Sequence, residues 1–104
     1  MSGIQPPYRY QYETVAASQT DQVMGGTGAV GDYIDHLIIT VGTAATAATS
    51  IKDGAGSAIP ILPNSPGGGI GVYVVSVTAA SASGAWKVTT GAGATVVAVG
   101  IFTA

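Results

Sequence analysis

Short runs of β-branched and aromatic residues recur about every ten residues in this chain, and turn-forming residues break each run before it reaches helical length. The runs fall at 8–13, 22–24, 32–41, 50–52, 57–61, 71–78, 85–89 and 95–103. Glycine, proline, Asp-Gly or small polar residues separate them. No stretch is left for a helical crossover, so a parallel α/β sheet is excluded. The pattern predicts an all-β fold: a β-sandwich or small jelly roll of about seven or eight antiparallel strands with an extended N-terminal arm. Residues 1–20 supply the arm and first strand, and residues 21–104 the jelly-roll-like domain. At 104 residues the chain has room for one modest core.

The run 32–41 is the most strand-like of the N-terminal half. At period two, Tyr33, Leu37, Ile39 and Val41 fall on one side, and Ile34, His36, Ile38 and Thr40 on the other. Both sides are mostly apolar. The expectation is a strand covered on both faces, by the core and by something else. The nature of that second cover is the functional question.

Charge narrows the answer. Only 8% of the residues are charged and the net charge is −2, against about 25% charged residues in an ordinary soluble domain. Arg9, Lys52 and Lys87 are the basic residues, and they are far apart. Nucleic-acid backbones need clustered cations, so nucleic acid is excluded as partner. After Asp53 the one charged side chain is Lys87. A surface of Thr, Ser, Gly and Ala suits a protein whose faces are occupied by partners. Cysteine is absent, which removes disulfides and thiolate metal sites. Residues 1–7 lack the basic and apolar regions of a targeting signal. The uncharged stretch 88–104 is interrupted by Gly and Thr and falls short of the ~20 apolar residues of a membrane span.

Tyr8, Tyr10 and Tyr12 alternate with Arg9, Gln11 and Glu13. This is strand patterning in a residue type that favours strands. Two readings stand. Either this is a first strand with its tyrosines in the domain's own core, or an arm that joins a neighbour's sheet edge and offers its rings there. On the second reading Tyr8, Arg9, Tyr10 and Tyr12 bind the partner. The segment Gly26-Thr27-Gly28-Ala29-Val30-Gly31 matches G-x-G-x-x-G, but a β-rich stretch follows where a dinucleotide site needs a helix. It is read as a glycine turn into a strand. Residues 42–49 are read as a loop. Asp53-Gly54 predicts a hairpin between 50–52 and 57–61, with Pro60 confining its second strand to an edge or a bulge. Residues 62–69 form a loop, and 90–94 a glycine hairpin loop joining the last two strands. Trp86, the one tryptophan, is expected to anchor the core between the sheets.

Candidate chemistry is sparse. His36 is the one histidine. In a regular strand Asp35 points to the opposite face, and Asp32 lies roughly 13 Å along the strand. A metal site needs more ligands than these, and no calcium-loop motif is present. Serines are plentiful, but none sits in a nucleophile elbow. Nothing in the spacing of Glu13, Asp21, Asp32, Asp35 and Asp53 selects a catalytic pair. The expectation is a non-enzyme without cofactor.

Four blocks, taken in order, carry a resemblance: Gly28-Ala29-Val30-Gly31-Asp32-Tyr33-Ile34, Ser50-Ile51-Lys52-Asp53-Gly54-Ala55-Gly56, Ser83-Gly84-Ala85-Trp86-Lys87-Val88-Thr89-Thr90-Gly91-Ala92 and Val99-Gly100-Ile101-Phe102-Thr103. Together they resemble a family of small structural proteins of tailed bacteriophages, over most of residues 8–104. The segment 61–71 departs from it. The resemblance implies a virion component without catalytic residues. The role it favours is capsid decoration, or cement: binding the outer surface of the head as a homodimer or homotrimer and stapling neighbouring major capsid proteins. The alternatives are a carbohydrate-binding or host-attachment module, with Tyr73 as its exposed aromatic platform, and a tail or neck component.

Overall fold

The computed structural model describes residues 10–43, 48–62 and 70–104. Tyr8 and Arg9 lie outside the described residues, as do 44–47 of the expected loop at 42–49 and 63–69 of the loop at 62–69.

Eight strands form: β1 (Gln11–Val15), β2 (Gln22–Val23), β3 (Tyr33–Val41), β4 (Thr49–Asp53), β5 (Ile59–Leu62), β6 (Gly71–Ala80), β7 (Trp86–Thr89) and β8 (Ala94–Ile101). They build two four-stranded sheets, in the orders β1-β8-β3-β6 and β2-β7-β4-β5. Every pairing is antiparallel. The pairs β1·β8, β2·β7, β3·β6 and β4·β5 are those of one long hairpin strip wound into two sheets, which is a jelly roll. The fold is all-β.

The core lies between the sheets. The first sheet contributes Val15, Ile34, Leu37, Ile39, Val41, Ala94, Val96 and Ala98; the second contributes Ile51, Trp86 and Val88, all buried. Met24 and Phe102 close the ends. Trp86 is 3% exposed, and its indole N–H donates to the Asp32 carbonyl at 2.8 Å. This gives a buried ring the hydrogen bond it needs. Asp32 is itself buried. Its carboxylate accepts from the backbone N–H groups of Ala29 and Thr103 and from the Thr103 hydroxyl, and its carbonyl also accepts from Ser81 N–H. One residue thus ties the turn before β3, the β6–β7 connection and the segment after β8. The Thr49 hydroxyl is buried and has no hydrogen-bond partner among the described residues.

The Asp53-Gly54 turn joins β4 to β5 as a hairpin. Gly54 has φ 57°, and a Cβ there would collide with Ser83, so glycine is required on both counts. Pro60 sits on β5, an edge strand whose pairing slips beside it, where its missing N–H costs no ladder bond. The turn 90–94 differs from expectation. It carries the chain from β7 in the second sheet to β8 in the first, so it is a corner between sheets and not a hairpin. Glycine turns signal a reversal but not which sheet receives the next strand.

The first sheet has an uneven corner. Ile34 pairs with Gly100 on β8 and Ala79 on β6, and Leu37 pairs with Ala98 and Val75. Between these two rungs the chain takes two steps on β8, three on β3 and four on β6. Each strand outward carries one residue more, and bulges of this kind bend a strand and sharpen its twist. Gly100 makes the corner close, since a Cβ there would strike the Tyr33 carbonyl. The bulge shifts the face assignment of β3: Ile34 is buried on the same side as Leu37, Ile39 and Val41.

Candidate partner-binding face

The outward face of the first sheet has no cover among the described residues. Residues paired across strands share a face, so the register lays out its rows. Thr14, Val97, Ile38 and Val74 form one row; Thr95, Thr40 and Val72 form a second; Tyr12, Val99, His36 and Ser76 form a third. Val72 is 64% exposed, Val74 67% and Tyr12 73%. Of the two covers expected for β3, the chain's described residues supply the core one. Its core side is buried, while His36, Ile38 and Thr40 line an open surface. Covering each exposed Val or aromatic side chain is worth about 1.5–3 kcal/mol.

The tyrosine strand matches neither sequence reading in full. β1 pairs with β8 of its own chain, so residues 11–15 belong to their own sheet. Tyr12 nevertheless points outward, and Tyr10 is 54% exposed. The core side of β1 holds Val15 and Glu13 instead. Glu13 accepts hydrogen bonds from Gly25 N–H at 2.6 Å and from the Gln22 amide, clamping β1 to the start of the second sheet. Gln11 accepts from Phe102 N–H. Alternation alone could not tell which parity faces the core, because Glu13 and Gln11 find internal donors and the tyrosines do not need them.

A polar cluster closes the tyrosine end of this face. The β3 bulge brings Asp35 and His36 side by side, with His36 Nδ1 2.8 Å from Asp35 Oδ2. This overturns the reading that placed them on opposite faces, since a bulge cancels one step of alternation. The Tyr33 hydroxyl donates to Asp35 Oδ1 at 3.2 Å, and the rings of Tyr10 and Tyr33 lie 6.0 Å apart. Hydrogen bonds from His36 and then Tyr33 outweigh burial and hold the Asp35 carboxyl below its usual range. Burial, then the Tyr10 hydroxyl and the Asp35 carboxylate, push the Tyr33 hydroxyl up. Ser76 pairs with His36 across β3 and β6. Serine, histidine and aspartate therefore share one corner, but of an open sheet. No cavity is enclosed among the described residues.

The remaining acidic residues are engaged locally. Asp53 accepts from the N–H groups of Ser83 and Ala82, which lower its pKa. Asp21 lies 3.1 Å from the Lys52 ammonium and accepts from the Thr89 hydroxyl; its pKa is lowered chiefly by Lys52. Among the described residues, no three His, Asp or Glu side chains converge as metal ligands would. Tyr73, expected as an exposed platform, is instead half-buried and packed against the core. Its β-strand parity matches Val75 and Val77, which face inward.

The described residues form an all-β jelly roll with a broad, largely uncharged outer face on its first sheet. No protein-family model matches the chain, and no curated protein or solved structure matches it.

Proposed function

We propose that this chain is a bacteriophage capsid decoration protein. It docks the outward face of the β1-β8-β3-β6 sheet against major capsid protein on the outer surface of the head, stapling neighbouring subunits without catalysis. The observation that carries this reading is the outward-turned tyrosine pair, Tyr10 and Tyr12, at the end of an apolar face. Large rings with a polar tip are the side chains that recur at the centres of protein interfaces. The blocks resembling small phage structural proteins support the same role, and jelly rolls occur among capsid and lectin domains alike. Repetition over a shell lets modest contacts add up to firm attachment.

The test is replacement of Tyr8, Tyr10 and Tyr12 by Ser together. Particles incubated with this variant are expected to carry little of it, while its thermal melt stays near that of the parent, because Tyr10 and Tyr12 are exposed. Undiminished occupancy would discard the proposed face. A count of copies by image reconstruction separates a decoration role from a tail or neck part.

Glycan attachment is a second reading, supported by the tilted Tyr10–Tyr33 rings beside the Asp35–His36 hydrogen-bonding pair. Binding on a glycan array that is lost with Tyr10→Ser would favour it.

A further inference from the structure

The four edge strands of the two sheets are unequally guarded. β2 has two residues, and β5 has four and carries Pro60. β1 has five, and the Glu13 side chain fastens it to the second sheet. β6 has ten, and its one hydrogen-bonded neighbour among the described residues is β3. It contains neither proline nor any charged side chain. Edge strands in soluble proteins are kept short, charged, bulged or covered, because every second residue presents an unpaired N–H and C=O to the outside. β6 has no such charge or proline, its bulge lies beyond Ser76 and leaves 71–76 in regular register with β3, and its outward side chains include Val72 and Val74.

We propose that β6 is a self-pairing edge: two copies of the chain join β6 to β6 antiparallel about a two-fold axis, making one eight-stranded sheet. Backbone groups on a free edge ask for another extended strand, and an uncharged strand can meet its own copy without repulsion. The register follows from the backbone. Thr78 has φ 48°, a left-handed conformation rare for a β-branched residue, and it interrupts the strand. The part in regular register with β3 runs from 71 to 76, and of the two residues at its middle, Tyr73 and Val74, Val74 is the one on the outward face. Two-fold pairing there sets Val74 against its own copy on the outward face and Val72 against Ser76. The apolar rows of both subunits then become continuous. Pairing with its own kind also closes the edge, whereas pairing of β6 with a neighbour's β1 would leave an edge free and propagate. β1 and its tyrosines lie at the far end of the sheet, so this pairing does not depend on the capsid reading.

The test uses the full chain in solution, without particles. Light scattering is expected to give twice the chain mass for the parent protein and the single-chain mass for Val74→Lys, with an unchanged melt, since Val74 is exposed. The chain has no cysteine, so Val74→Cys gives a clean second readout. Directly opposed residues of an antiparallel pair lie about 4.5–5.5 Å apart at Cα, inside the range a disulfide spans. Mild oxidation is expected to convert Val74→Cys to a covalent dimer, while a control Ser57→Cys in the β4–β5 turn stays uncrosslinked. A monomeric parent protein, or Val74→Cys that crosslinks no faster than the control, would overturn the proposal. A Val74→Lys variant that keeps the dimer mass would do the same.

Discussion

The two sheets of this jelly roll present unlike outer surfaces. On the second sheet, Lys52 and Lys87 stand opposite each other, with Ser50 opposite Thr89 and Asp21 bonded to Lys52. Every basic residue among those described is there. The first sheet offers valine, isoleucine, threonine and tyrosine, and its outward acid, Asp35, is occupied by His36 and Tyr33. Both sheets bury their inner side chains in the same core, so core packing does not account for the contrast between their outer faces. What differs is the intended environment. One surface is dressed for water, and the other lacks the charge that keeps sheets apart. The contrast also shows why whole-chain composition is uninformative here: the charges are few because one face has almost none.

The strongest way to break this comparison lies within β3. Ile39→Ala removes a fully buried side chain and is expected to cost about 2–5 kcal/mol in urea unfolding. Ile38→Thr, one residue away on the outward face, is expected to cost under about 1 kcal/mol. Equal losses would mean the outward face is already covered in the free protein. Salt sharpens the comparison on particles. Raising ionic strength from about 0.1 M to about 1 M shortens the screening length from ~10 to ~3 Å. Attachment through the first sheet is expected to persist, whereas release by salt would point to Lys52 and Lys87 on the second.

The smallest expected effect is that of pH on stability. Asp21, Asp35 and Asp53 all have folded-state pKa values lowered from the ordinary 3.8. Each therefore contributes stability that is present above that value and is lost as pH falls through the lowered one. Tyr33 runs the other way. Its pKa is raised from 10.0, so its contribution is held below that value and lost as pH rises beyond it. Melting temperature against pH is expected to stay flat from about pH 5 to 9 and to fall at both ends. Replacing Asp53 by Ala should soften the acid limb; an unchanged limb would count against the Ser83 and Ala82 N–H bonds as its cause.

Local chemistry made much of this fold readable. Asp53-Gly54 between two apolar runs is a hairpin because glycine is needed at that φ, and Pro60 belongs on an edge because it cannot donate. β-branched content placed most of the strands. The errors were non-local. The bulge at Asp35 depends on how β8 and β6 pair with β3, which alternation within β3 does not reveal. The corner at 90–94 depends on which sheet has room. The tyrosines were legible as a strand but not as an outer face, since Glu13 can face inward when Gly25 and Gln22 supply donors. The apolar residues on both sides of the run 32–41 pointed to a surface beyond the core.

Asp32 carries a kinetic consequence. Its carboxylate is satisfied by Thr103, 71 residues further along the chain, and β1 waits longer still for β8. The first sheet cannot be completed until β8 has left the ribosome. Closure by such distant pairings is slow, and the long bare margin of β6 stays on offer to other nascent copies throughout. Many copies made at once would meet that hazard together, before any of them had finished folding.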